Sequence, residues 1–159
     1  MKNKLIFCLT FLLVCSLNLF GQHKALSFQE AEKIGIPMWH LDSLYKSAVH
    51  TDVKLAVFKT EEGQAKLIKA YTQLLQDLGR FLKDNNFKWE GPTKGFNRIY
   101  LNANGKIDYF LYNFAKDQLS STKEKEFSRL LNLFVKDYQF VLTAQENFAQ
   151  CSPVTYLDI

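Results

Sequence analysis

The residue best suited to covalent chemistry is Cys151, in the stretch Phe148-Ala149-Gln150-Cys151-Ser152-Pro153. A cysteine attacks as its thiolate and needs a base or a positive neighbour to form it. The three histidines, His23, His40 and His50, all lie in the first third of the chain, so only the fold could bring one to Cys151. An exposed reactive thiol outside the cytoplasm is also open to oxidation. The expectation for Cys151 is therefore a small buried hydrophobe. An intermolecular disulfide and a nucleophile paired with a histidine stand as alternatives.

His40 and His50 are each followed two residues later by an aspartate, Asp42 and Asp52. Imidazole and carboxylate suit zinc, but ligands on one helix face come three or four apart and these histidines are ten apart. They are weak metal candidates, and no metal or cofactor is expected. Asn102, Asn104, Gly105 and Ile107 superficially resemble a calcium loop. With Gly105 in the sixth place, Tyr100 would be first and Leu111 twelfth, where an acidic residue and a bidentate glutamate are required. That stretch is read as a turn. Arg98 is the remaining candidate. With Tyr100 and Tyr109 on the same strand face it could take a carboxylate or sugar, or simply stack on a tyrosine.

Those candidates sit in a chain whose start reads as an export signal. Lys2 and Lys4 precede an apolar run from Leu5 that ends near Phe20, and Gly21 is a small residue suited to the position before a cut. The run is short of the roughly 20 residues of a spanning helix. Residues 1–21 are thus expected to be a signal peptide and residues 22–159 a single domain, with no transmembrane segment after cleavage. An uncleaved anchor and a lipid on Cys15 are the competing readings. The chain carries 20 Lys and Arg against 16 Asp and Glu, a formal charge of +4. Without Lys2 and Lys4 the balance is 18 to 16, or +2. A near-neutral domain lacks the clustered basic face that nucleic acid requires, so no nucleic-acid partner is expected. Cys8 and Cys15 also leave with the signal, which excludes a disulfide scaffold. A hydrophobic core must supply the stability.

The elements that position the candidates follow from periodicity. Ser27 and Glu30 form a capping-box pattern, Gly35 is placed to stop that helix, and Pro37 suits the first turn of a second. From Glu61 to Asn85, Leu67, Ile68, Tyr71, Leu74, Leu75, Leu78, Phe81 and Leu82 recur at three- and four-residue steps, with Thr60 as cap. Asn104-Gly105 between two β-rich runs predicts a two-residue hairpin. Ala103 would face Lys106, Leu101 would face Asp108 and Tyr100 would face Tyr109. A second helix, capped by Ser121 and Glu124, buries Phe127, Leu130, Leu131, Phe134 and Tyr138. Residues 139–142 are expected to form a third strand, 143–146 one helical turn, and 154–157 an edge strand. The predicted class is α+β: a small, mainly antiparallel sheet with an Asn-Gly hairpin, packed on one long and one medium amphipathic helix.

Residues 97–142 resemble the C-terminal domain of TonB-type energy transducers in element order. The matching pieces are Arg98 to Asn102, the Asn104-Gly105 turn, Lys106 to Tyr112, Phe127 to Tyr138 and Gln139 to Leu142. The resemblance implies a strand, a turn with glycine, a second strand, a helix and a closing strand. The family's membrane anchor and proline-rich spacer are not matched, and neither is the helix from Glu61. The remainder is similar to uncharacterised small secreted bacterial proteins. The expectation for function is a secreted or periplasmic, non-catalytic binding or interaction module of the bacterial envelope. Its partner would be a protein or small ligand there. The alternative is a small thiol-dependent or hydrolytic enzyme using Cys151 with a histidine.

Overall fold

The computed structural model describes residues 23–158, so the expected signal segment and Cys15 lie outside the described residues. Five strands form one mixed sheet, helices cover both of its faces, and the class is α+β as expected. In chain order they are β1 (Lys24–Ser27), α1 (Phe28–Lys33), α2 (Met38–Leu44), β2 (Lys46–Ser47), α3 (Glu61–Asp84), β3 (Thr93–Leu101), β4 (Ile107–Phe114), α4 (Ser121–Asp137) and β5 (Phe148–Tyr156). The sheet order is β1-β4-β3-β5-β2. β3 pairs antiparallel with both β4 and β5, whereas the short outer strands β1 and β2 run parallel to their neighbours. The centre is thus antiparallel, as predicted, and both edges are not.

The larger core lies between the sheet and the long helices. From α3 it takes Leu67, Ala70, Tyr71, Leu74, Leu78 and Leu82, and from α4 Phe127, Leu130, Leu131, Phe134 and Val135. They meet Ile99, Leu101, Ile107, Phe110, Tyr112 and Phe148 from the strands. Ile68 departs from the predicted stripe and is 66% exposed. Thr60 caps α3 by accepting from the Gly63 N–H at 3.1 Å. The cap of α4 is Ser120, one residue earlier than predicted. Trp89 belongs to this core and stacks on Tyr156 at 4.5 Å between centroids. The opposite face carries a smaller core, in which Ala31 of α1, Leu41 of α2 and Tyr45 pack on Tyr100, Leu111 and Ala149.

The hairpin differs from the expected two-residue turn. Asn102 N donates to Lys106 O at 2.9 Å and Gly105 N to Asn102 O at 2.9 Å, so the reversal takes three residues, Ala103, Asn104 and Gly105. Gly105 alone in this loop has positive φ, +82°, the form in which a type I turn ends in a left-handed residue. The ladder then shifts: Tyr100 faces Tyr109 as predicted, but Leu101 faces Ile107 and Asp108 bulges out. The bulge puts Ile107 in the larger core, on the opposite face from Tyr100 and Tyr109.

The segment after α4 also corrects the sequence reading. Residues 139–142 make only an isolated bridge, Gln139 with Lys106, and 143–146 form no helical turn. The chain instead crosses the hairpin tip as a strap, with Phe140 N on Gly105 O at 2.9 Å and Ala144 N on Ala103 O at 3.0 Å. The final strand begins at Phe148 and pairs with β3 over nine residues, so it is far longer than the predicted 154–157.

Candidate functional site

Arg98, Tyr100 and Tyr109 do share one face of the hairpin, but α2 covers it. Asp42 projects from α2 and its Oδ1 accepts from Arg98 Nε at 2.7 Å and from the Tyr100 hydroxyl at 2.8 Å. A guanidinium NH2 completes the ion pair at 2.6 Å. Tyr100 is 0% exposed, so its ring offers no surface to a ligand. Arg98 also lies 5.7 Å from the Tyr100 ring centroid, within cation–π range. Burial pushes the Tyr100 phenol well above its ordinary range, and the Asp42 carboxylate adds to the shift. Tyr109 is half-buried, and its phenol is raised by burial and then by nearby Asp108.

A second pair mirrors this one. Tyr45, at the C-terminal cap of α2, donates its hydroxyl to Asp108 Oδ2 at 2.7 Å. Asp108 is only 2% exposed. Burial raises its carboxyl above the usual range, opposed by the Tyr45 hydrogen bond, by His23 and by Asn102. The helix thus gives an acid to a sheet tyrosine, and the sheet gives an acid to a helix tyrosine. The two tyrosine rings meet edge to face at 5.1 Å. These reciprocal latches fix a helix of only seven residues, too short to be stable alone. Neither Asp42 nor Asp108 carried a sequence signal for this role, because each partner is more than fifty residues away.

Cys151 is exposed and free, which corrects the expectation of a buried hydrophobe. It lies opposite Arg98 in the β3–β5 ladder. No described histidine hydrogen-bonds its sulfur: His23 contacts Ile107 O, and His50 accepts from Asp52 N at 2.9 Å. His40 is exposed on α2, and Asp52 caps the turn at Lys54. Among the described residues no group of three or more histidines, cysteines and carboxylates is placed to hold a metal. Nor is any described helix long and apolar enough to cross a membrane.

The sheet edges hold what the sequence did not announce. An edge strand presents unpaired N–H and C=O groups that can template another strand. On β1 they are satisfied: the Asn132 side chain of α4 accepts from Ala25 N at 2.9 Å and donates to Ala25 O at 2.8 Å. Ser27 N donates to Glu30 in the capping box at 2.8 Å. On the other side β2 pairs with β5 only at Phe148 and Ala149. Ala48 N reaches Ala149 O at 2.9 Å, which fixes the odd-numbered residues of β5 as those facing outward. Beyond that point Cys151, Pro153 and Thr155 are exposed. No described backbone group bonds to their N–H or C=O; only the Gln150 side chain touches Cys151 O, at 3.1 Å. Pro153 sits where its missing N–H would point away from the sheet, the position a strand allows.

Exposed apolar side chains concentrate in the segment that carries β2. Of eleven large ones among the described residues, seven fall between Ile34 and Leu55, including Trp39 at 73% exposure. Three of them, Val49, Val53 and Leu55, lie in the loop that leaves the sheet where β2 ends. That loop is closed by Val57 N on Ser47 O and Phe58 N on Ala48 O, both at 3.0 Å.

Comparison with known proteins gives no matching family model, no matching curated protein and no matching solved structure.

Proposed function

We propose that the chain is an exported, non-catalytic interaction module of the bacterial envelope or exterior that receives an extended segment of a partner protein as an added strand on β5. The observation that carries this reading is the asymmetry of the sheet. Asn132 and Glu30 satisfy the outward groups of β1, while those of Cys151, Pro153 and Thr155 face outward with no described backbone partner. Strand addition draws affinity from main-chain hydrogen bonds and specificity from alternate side chains. The neighbouring loop with Val49, Val53 and Leu55 favours a partner segment with apolar side chains at its end nearest Ala149. Export rests on the charged start, apolar run and small residue of residues 1–21. The thiol-enzyme alternative keeps one observation in its favour, the exposure of Cys151.

Thr155→Pro tests the binding reading. It deletes an outward N–H and leaves the bonds to β3 in place. Retention of envelope proteins on the immobilised wild-type chain, lost on the Thr155→Pro chain, is the expected outcome. It should be accompanied by slowed amide exchange at Cys151 and Thr155 in the complex. Equal retention by both chains would remove β5 as the site. Export is checked separately by the mass and compartment of the chain in its host; an unprocessed cytoplasmic chain would overturn it. Rapid native thiol reactivity at Cys151, coupled to turnover of a thioester, would favour the enzyme instead.

A further inference from the structure

Asn104 and Gly105 form the dipeptide in which a backbone nitrogen most readily attacks a side-chain amide, because glycine has no Cβ to obstruct the approach. Asn104 is exposed. Its peptide link to Gly105 and the two peptide units that flank it are nevertheless hydrogen-bonded. Gly105 N donates to Asn102 O at 2.9 Å, and Gly105 O accepts from Phe140 N at 2.9 Å. Asn104 O accepts from Gln139 Nε2 at 2.7 Å, and Asn104 N donates to Asn102 Oδ1 at 3.0 Å. Gly105 is also buried so closely that an added methyl would lie 2.8 Å from Phe140 O. Ring closure needs the peptide plane between them to turn until Gly105 N faces the Asn104 Cγ, which breaks the Gly105 N–Asn102 O and Gln139 Nε2–Asn104 O bonds, while Phe140 N on Gly105 O anchors the next peptide unit against that turn.

We infer that Asn104 is a site of covalent modification gated by the strap of residues 139–144: closed, the strap blocks deamidation, and its opening permits it. In the step a bond forms between Gly105 N and Asn104 Cγ. The Cγ–Nδ2 bond breaks, and Nδ2 leaves as ammonia with the proton given up by Gly105 N. Solvent water then opens the cyclic imide at either carbonyl, leaving aspartate or isoaspartate at 104. Isoaspartate adds a methylene to the main chain in a loop of three residues. Gly105 then cannot keep both its bond to Asn102 and its bond to Phe140. The strap would be released just ahead of β5, where Asn147 Oδ1 accepts from Ala103 N at 3.0 Å. The inference stands apart from the strand-addition reading, since it needs no partner.

The test follows the mass gain of amide hydrolysis, with peptide mapping for isoaspartate, in mildly alkaline buffer. The folded protein is compared with the same protein in urea. Residue 104 is expected to react at least about tenfold more slowly when folded, as for any group exposed only by local opening. Gln139→Ala, which removes the donor to Asn104 O, should raise the folded rate and leave the rate in urea unchanged. Equal folded and urea rates in the wild type would overturn the inference. So would an unaltered folded rate in Gln139→Ala. Should that variant not fold, the wild-type rate in urea below the unfolding transition decides: a rise there supports gating by the strap, and a flat rate refutes it.

Discussion

Removing the Asp42 carboxylate should separate the latch from the packing that surrounds it. In Asp42→Ala, Arg98 and Tyr100 lose a shared acceptor that now takes three donors at 2.6 to 2.8 Å. A fully buried pair broken this way costs about 3–5 kcal/mol, an exposed one about 0–1. The pair here lies between, with side chains 20% exposed at Arg98 and 37% at Asp42, and Arg98 can turn to water, so its part is about 1 kcal/mol. The Tyr100 hydroxyl fares worse. Its proton keeps only the long contact to Met38 O at 3.4 Å and its oxygen the Arg98 donor, so its loss is about 1–2 kcal/mol, the lower part of the range of about 1–3 kcal/mol for an unsatisfied buried hydroxyl. The sum is about 2–3 kcal/mol for Asp42→Ala. Asp42→Asn keeps an acceptor oxygen and should lose about 1 kcal/mol, chiefly charge. Urea unfolding gives both values. With Trp89→Phe in the background, Trp39 becomes the sole indole and its emission and anisotropy report on α2 itself. The cycle with Arg98→Met should show a coupling of about 1 kcal/mol. If Asp42→Ala cost less than about 0.5 kcal/mol, the range of an ordinary surface change, α2 would be held by Leu41 and Tyr45 alone and the latch argument would fail.

Three further outcomes follow from the same structure. Asp108→Asn should gain in stability relative to wild type as pH rises. The folded carboxyl is raised by burial, so its contribution is most favourable below the unfolded value and is lost as pH climbs through the folded one; urea midpoints at acid and neutral pH that move in parallel would contradict it. Asn132→Leu removes two hydrogen bonds from Ala25 and should cost about 2 kcal/mol, at about 1 kcal/mol each. It should also make sedimentation concentration-dependent, and an unchanged monomer with unchanged stability would mean that the β1 edge needs no cover. Gly105→Ala meets both a φ of +82° and a carbonyl 2.8 Å from the new methyl, and should lose at least about 2 kcal/mol, read as a lowered thermal midpoint.

What could be read from the sequence was what depends on neighbours within a turn or two. The α3 stripe, the Thr60 cap and the Ser27–Glu30 box are local, and the apolar period that marks a helix is set by the one face it buries. The Tyr100–Tyr109 pairing was legible for the same reason. The bulge at Asp108 was not, because Asn104-Gly105 serves a two-residue turn and a three-residue loop equally well, and only the strap contacts at Gly105 select between them. β5 escaped because an open edge leaves Cys151, Pro153 and Thr155 exposed, so its outward residues need not be apolar and a proline is tolerated. The site itself is long-range throughout. Asp42 meets Arg98, Tyr45 meets Asp108 and Asn132 meets Ala25 only after the chain has folded.

The Asn132 amide also sets a ceiling on self-assembly. Growth of a filament by strand pairing requires each subunit to be bivalent, with one free edge to join the copy ahead and another to join the copy behind. With Ala25 and Ser27 already occupied, the sheet formed by the described residues is monovalent. Two copies meeting through β5 would consume both free edges and form a closed two-fold pair, at which propagation stops.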